Sequence, residues 1–256
     1  MILLDGKTLA TQITSELKQK IIQSGLKINL DIVLVGDDPS SLKYIDLKQK
    51  KAAEVGIGGQ LYHLPVVAVS DLPKLVAALN ENHETSSFFI QLPIPGLDDP
   101  SLILRQILPQ KDADGLNPNS GVYPAVVKGI VRLLENYQIN FDQKNIVIIN
   151  DSDLIGQPLK KYFSQYTSNI TLLNRQSLDL TPHTLQADIL ISATGVKNLL
   201  TADMVKSGVV AIDVGGGDID FENVSIKSSY ITPTFGGVGP MTVASLLENT
   251  YLLTTR

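Results

Sequence analysis

The sequence predicts an α/β protein made of two domains, each a parallel sheet covered by helices. Three observations carry this. Short apolar runs of strand length alternate with segments whose apolar residues recur every three to four positions, as in parallel strands buried by crossover helices. Of 256 residues, 43% are hydrophobic and 18% charged, so the chain can bury a substantial core at a length that suits two units. The alternation is broken once, over residues 93–123, where Pro, Gly, Asn and Asp crowd together as in a functional loop or a domain boundary.

Taken in order, residues 7–24 read as a helix with Leu9, Ile13, Leu17 and Ile21 on one stripe and Gly25 as its stop. Residues 31–36 (DIVLVG) form an apolar strand. Asp38 as N-cap and Pro39 in the first turn open a helix that runs to Val55 and stops at Gly56. A short strand near 60–64, a helix near 71–81 and the strand FFIQLP (88–93) follow. Beyond the loop, a helix near 125–137 leads to the strands at 145–150, 169–173, 188–192 and 209–215, with helices near 155–166 and 201–206 between them. A last helix over 241–253 closes the chain. The expected division is 1–120, joined by the C-terminal helix 241–256, and 121–240.

Composition narrows the function. With 21 basic against 26 acidic residues the net charge is −5, which argues against nonspecific nucleic-acid binding. The absence of Cys excludes disulfides, thiolate metal sites and a Cys nucleophile, and His63, His83 and His183 lack the spacing of a metal pair, so no metal is expected. The N-terminus lacks the basic and apolar regions of a signal peptide, and no apolar run reaches the ~20 residues that span a bilayer. A soluble, cytoplasmic, acidic protein with no membrane partner is expected.

On a helical wheel of residues 41–55, Ser41, Ile45, Ala52 and Val55 share one face while Asp46, Lys50, Lys43, Glu54 and Lys51 share the other. Lys48 breaks the pattern, lying in the apolar stripe with Tyr44 one turn before it. Desolvation there favours the neutral amine, which suits proton transfer or nucleophilic attack; the alternative is a lysine that snorkels its amine to water. The helix follows directly on the end of a parallel strand, where α/β ligand sites usually form. Gln91, at the end of FFIQLP, either orients Lys48, touches a substrate or bonds the backbone. Asp112 and Asp114 in KDADG either bind a polar ring or build an Asx turn. The second half lacks a G-x-G-x-x-G fingerprint, yet Gly156 opens a helix that can receive a phosphate on its amides, and SATG (192–195), DVGGG (213–217) and TPTFGGVGPMT (232–242) place glycines where a ligand can approach the backbone.

These segments together resemble the bifunctional methylenetetrahydrofolate dehydrogenase/methenyltetrahydrofolate cyclohydrolase family. VGDDPSSLKYIDLKQKKAAEVGI (35–57) is similar to its VGDDPAS-x-x-Y-x-x-x-K helix, IQLPIP (90–95) to QLPLP and PQKDADG (109–115) to P-x-KDVDG. ADILISATG (187–195), VVAIDVG (209–215) and ITPTFGGVGPMTVASLLENT (231–250) resemble the second half. The resemblance implies an N-terminal folate-site domain and a C-terminal Rossmann-like dinucleotide-binding domain, oxidation of methylene-tetrahydrofolate by NADP (NAD possible), hydrolysis of the methenyl product to 10-formyl-tetrahydrofolate, and a homodimer. It implies Lys48, Tyr44 and Gln91 as catalytic residues and Tyr44, Gln91, Leu92, Pro93, Asp114, Gly237 and Pro240 as folate contacts. It implies Asn150, Asp151, Ser152, Ile155, Gly156, Arg175, Ala193, Thr194, Gly195, Asp213 and Gly215 as cofactor contacts.

The chain departs from the family in four places. P-C-T-P-x-G reads Pro124-Ala125-Val126-Val127-Lys128-Gly129, and the stretch between Gly121 and Pro124 is shortened. G-R-S-x-x-V-G-x-P reads Asn150 to Pro158, with Asp151 where an Arg commonly helps hold the 2′-phosphate. P-V-P-G-G-V-G-P reads Pro233-Thr234-Phe235-Gly236-Gly237-Val238-Gly239-Pro240. Arg175, after the next strand, can restore the lost positive charge through a bidentate grip on that phosphate; the alternative is a solvent-exposed loop arginine. Asp151 and Asp153 near the phosphate loop motivate a second reading, a cyclohydrolase with a weakened or lost dehydrogenase; a third is a folate-binding subunit without catalysis, against which Tyr44 and Lys48 weigh, and a fourth is another two-domain dehydrogenase of the shikimate type, which fits the architecture but not KDADG or GGVGPMT.

Overall fold

The computed structural model describes residues 1–174 and 176–256. In chain order the elements are β1 (Ile2–Leu3), α1 (Gly6–Ser24), β2 (Ile28–Val35), α2 (Pro39–Val55), β3 (Ile57–Gly58), β4 (Leu61–Leu64), α3 (Leu72–Glu81), β5 (Ser87–Ile90), α4 (Ser101–Leu104), α5 (Ala125–Asn136), β6 (Ile146–Ile149), α6 (Gly156–Phe163), β7 (Ile170–Leu173), α7 (Thr181–Thr184), β8 (Ile189–Ser192), β9 (Val209–Asp213), α8 (Phe221–Val224), β10 (Ser228–Ile231) and α9 (Val238–Thr254). They group into two compact units: Thr11–Ala125 with Val243–Arg256, and Met1–Ala10 with Val126–Thr242.

The first unit is built on β2. Its sequence INLDIVLV is buried almost throughout, as a strand covered on both faces must be. Val33 pairs in parallel with Tyr62 of β4 and with Ile90 of β5, so β2 lies between those strands, and its first residues pair with β3. The one carboxylate in the run, Asp31, is 4% exposed and is satisfied by the Gln60 N–H at 2.8 Å and the Thr85 hydroxyl at 2.6 Å. Leu17 and Ile21 of α1, Ile45, Ala52 and Val55 of α2, and Val243, Leu246 and Leu247 of α9 pack in one cluster with β2. Parallel strands end on one edge, so the loops that follow β2 and β5 emerge together there.

The second unit is a six-stranded sheet in the order β1-β10-β9-β8-β6-β7, parallel throughout. The loops after β6, β8, β9 and β10 therefore share its carboxyl edge.

Several expectations need correction. The first ten residues, expected with the N-terminal domain, belong to the six-stranded unit: Ile2 and Leu3 pair with Tyr230 and Ile231. A two-residue strand has no alternation for a sequence to display. β10, four residues long, is also unexpected, because its SSYI carries two serines and makes no apolar run. The strand expected over 88–93 ends at Ile90, and the helix expected over 201–206 is a single 3₁₀ turn at Ala202–Met204. The last helix begins three residues earlier than expected, at Val238, with Pro240 in its first turn, where a missing N–H costs nothing.

Candidate active site

Lys48 is positioned by a helix whose two ends are both fixed. Asp38 caps α2 by accepting from the Ser41 N–H at 2.8 Å, and Gly56 ends it in the left-handed region at φ 89°. Between them the stripe Ser41, Ile45, Lys48, Ala52 and Val55 is buried. Lys48 does not snorkel: it is 3% exposed. Its Nζ donates to Gln91 Oε1 at 3.1 Å and lies 4.7 Å from the Tyr44 ring centroid and 4.1 Å from that of Phe89. The two ring faces favour the ammonium, but burial outweighs them and the nearby Asp114 charge, and brings the Lys48 pKa down from 10.5 to about 8. The amine is thus held near the pH at which it can take a proton.

Gln91 is the first residue past β5. Its backbone N–H continues the ladder to Val33 O at 2.8 Å, and its side-chain N–H donates to Leu92 O at 2.7 Å. With its amide nitrogen engaged, the carbonyl oxygen is turned to Lys48. Leu92 is half-buried and Pro93 exposed, and the bond joining them is cis.

The two acids of KDADG separate by role. Asp112 is 1% exposed and accepts from the N–H groups of Gly115 at 3.0 Å and Asn117 at 2.7 Å. Burial raises its pKa to about 6 in spite of these donors. It builds the turn. Asp114 is half-buried and, among the described residues, its carboxylate receives no hydrogen bond; burial raises its pKa and Lys48 opposes the rise. Four of the predicted residues, Tyr44, Lys48, Gln91 and Asp114, therefore come together. The sequence reading missed Phe89, whose place in an apolar strand marks it only as core.

The predicted cofactor residues that the structure describes lie in the six-stranded unit, at the carboxyl edge. Asn150 Oδ1 accepts from the N–H of Ser152 at 2.9 Å and its hydroxyl at 2.6 Å, while Asn150 Nδ2 donates to Ala193 O at 2.8 Å, tying the loops after β6 and β8. Ile155 N–H bonds Ser152 Oγ at 3.3 Å. A Cβ on Gly156 would collide with the Asn150 carbonyl, so only glycine allows this tight entry into α6. Asp151 is exposed and accepts from Asn174 Nδ2 at 2.7 Å. Arg175 lies outside the described residues.

Asp213 is 5% exposed and accepts from the N–H groups of Gly216 and Gly217, each at 2.8 Å, so it shapes its loop rather than facing outward. Asp218, which the sequence reading also missed, is fully buried and ties that loop to the one after β8. Its Oδ2 accepts from Ser192 Oγ at 2.7 Å and from the N–H and hydroxyl of Thr194 at 2.6 and 2.9 Å. A cavity of about 640 Å³ opens beside these loops, with Gly195 and Gly215 in its lining. The rest of its lining includes Lys197, Asn198, Asp220 and Glu222, so backbone that a ligand can approach closely is confined to the glycines. Gly237 is buried and Pro240 half-buried, and both also fall in this unit.

Residues 4–114 match the profile of the tetrahydrofolate dehydrogenase/cyclohydrolase catalytic domain, and residues 124–256 that family's NAD(P)-binding domain. The chain belongs to the tetrahydrofolate dehydrogenase/cyclohydrolase family. A relative from Campylobacter jejuni (strain RM1221), the bifunctional protein FolD, is 41% identical over 98% of this chain and 97% of its own length. A crystal structure of the C. jejuni bifunctional enzyme FolD, a methylenetetrahydrofolate dehydrogenase/cyclohydrolase, superimposes with a TM-score of 0.94 at 40% identity, covering 100% of this chain and 99% of the other. The Trypanosoma brucei family member, solved with NADP cofactor and an inhibitor, gives a TM-score of 0.94 at 28% identity over 100% of this chain and 98% of that one.

Proposed function

We propose that the protein is a bifunctional folate enzyme: it oxidises 5,10-methylenetetrahydrofolate with NADP and hydrolyses the 5,10-methenyl product to 10-formyltetrahydrofolate. The observation that carries the hydrolytic half is Lys48, a lysine 3% exposed and held by Gln91 between two aromatic rings. The methenyl carbon is an electrophile, so the step needs water made nucleophilic. Neutral Lys48 takes a proton from that water as its oxygen bonds the carbon. The bond from that carbon to N5 then breaks as the hydroxyl oxygen becomes the formyl carbonyl and loses its proton to solvent; N5 takes back the proton held by Lys48, and the formyl group remains on N10. Gln91 fixes the amine's direction, and the Tyr44 ring lies along the folate. Asp114 accepts hydrogen bonds from the donor edge of the pterin, a charge-assisted pairing, and Leu92 and Pro93 complete the folate contacts of this unit.

NADP supplies a hydride acceptor when bound. Ser152, Ile155 and Gly156 would hold its pyrophosphate side through their backbone N–H groups, in a loop that Asn150 and Asp151 frame; Ala193, Thr194, Gly195, Asp213 and Gly215 would shape the surface for its other half. Asp151 favours a second reading, use of NAD, because its carboxylate repels a 2′-phosphate. Arg175 is assigned the compensating grip. Dehydrogenase kcat/KM with NADP exceeds that with NAD in the parent, and Arg175→Ala erases the preference; a parent that prefers NAD reverses the assignment. The reading also makes the protein a cytoplasmic homodimer, on the strength of the family resemblance.

The direct test of the hydrolytic assignment is Lys48→Met supplied with methenyl-tetrahydrofolate. Hydrolysis falls to the buffer rate while the circular dichroism spectrum is kept. A variant that hydrolyses at the parent rate removes Lys48 from the mechanism.

A further inference from the structure

The cavity at the carboxyl edge of the six-stranded unit has a mixed lining. Gly195 and Gly215–Gly217 bring no side chain to it, Lys197, Asn198, Asp220 and Glu222 bring polar ones, and Phe221 and Phe235 are its two aromatic residues. The two rings are held differently. Phe221 packs against the core cluster beneath the sheet, whereas Phe235 is 86% exposed, so its ring touches little of its own protein.

The backbone around Phe235 is nevertheless fixed. Thr232 N–H bonds Ala211 O at 3.0 Å on one side, and Gly236 O accepts from Lys7 N–H at 2.8 Å on the other. Gly236 stands at φ 91°, a conformation that side-chain-bearing residues rarely adopt. A tethered loop therefore holds an exposed aromatic residue at the cavity. The position is also a departure of this chain, since the motif P-V-P-G-G-V-G-P has Pro where Phe235 stands.

We infer that Phe235 is a cofactor-positioning residue, its ring stacking on the nicotinamide of the bound dinucleotide. This rests on the NADP reading above and adds to it the group that orients the reacting ring. Nicotinamide is planar and aromatic, and offset stacking on Phe is its favourable contact. Gly215–Gly217, in the same lining, bring no side chain to compete. Stacking engages one face of the ring and leaves the other open for hydride arrival.

The test compares NADPH with 2′,5′-ADP, which lacks the nicotinamide half, by titration calorimetry on the parent, Phe235→Ala and Phe235→Tyr. Because the ring is exposed, Phe235→Ala keeps the parent's thermal midpoint. It weakens NADPH binding about tenfold, or about 1.4 kcal/mol, leaves 2′,5′-ADP binding unchanged, and Phe235→Tyr binds NADPH as the parent does. Unchanged NADPH affinity in Phe235→Ala, or an equal loss for both ligands, overturns the inference while the cofactor reading stands. A parent that binds neither ligand overturns both.

Discussion

Burying Lys48 costs stability, and its titration gives a sign both to that cost and to the reactivity proposed for it. Its pKa is about 8 in the folded protein against 10.5 for the free side chain. Below pH 8 the amine is charged in both states and the full burial cost is present. Between 8 and 10.5 the folded form is neutral while the unfolded form stays charged, so stability rises with pH; above 10.5 nothing further is gained. At about 1.4 kcal/mol per unit the cost near pH 7 is of order 3 kcal/mol. Lys48→Met is therefore expected to be more stable than the parent at pH 7 by up to that amount, with the advantage shrinking by pH 10, as read from urea unfolding. The parent's enzymic hydrolysis rises with pH through about 8 as the amine becomes neutral; a flat profile after subtraction of the buffer reaction contradicts this. The acids of KDADG make a matched pair of tests. Asp114→Asn weakens folate binding tenfold or more, the loss of a charged hydrogen-bond acceptor. Asp112→Asn leaves one of two backbone N–H donors facing an amide N–H. It lowers stability by roughly 1–3 kcal/mol and affects folate affinity less. Equal folate affinity in Asp114→Asn and the parent ends the pterin assignment.

Among the elements, α2 and the turn into α6 bear most directly on function. Much of α2 was legible in sequence: Asp38, Pro39 and Gly56 bracket it, and the apolar stripe singles out Lys48. These are local signals, set by capping and by the helical period. The contacts that complete the site are not local. Gln91 reaches Lys48 across 43 positions, and Asp218 reaches Ser192 across 26; no spacing rule encodes such pairs. Periodicity left Asp112 and Asp114 equivalent, and burial with hydrogen bonding separates them. The turn into α6 is tight because Gly156 has no Cβ to strike Asn150 O. Gly156→Ala is expected to displace this loop and abolish dehydrogenase turnover while methenyl hydrolysis by the Lys48 unit continues. The two rates, measured on one preparation, check this, and retained dehydrogenase activity contradicts it.

At the scale of the whole molecule, the chain assembles Tyr44, Lys48, Gln91 and Asp114 in one parallel-sheet unit and carries the family's NAD(P)-binding domain over residues 124–256. The four departures from the family pattern lie in or beside the second half, while Tyr44, Lys48, Gln91 and Asp114 keep both their identities and their assembly. Departures in loops leave a sheet's register intact, which is why the fold matches family structures so closely despite Asp151 and Phe235. The central claim is that both reactions run on this one chain. The measurement is a single incubation of the purified protein with 5,10-methylenetetrahydrofolate and NADP, following NADPH and the folate products together. NADPH and 10-formyltetrahydrofolate rising in equal amounts, with little methenyl intermediate accumulating, is the predicted result; no NADPH with either NADP or NAD, or methenyl-tetrahydrofolate that decays only at the buffer rate, contradicts it.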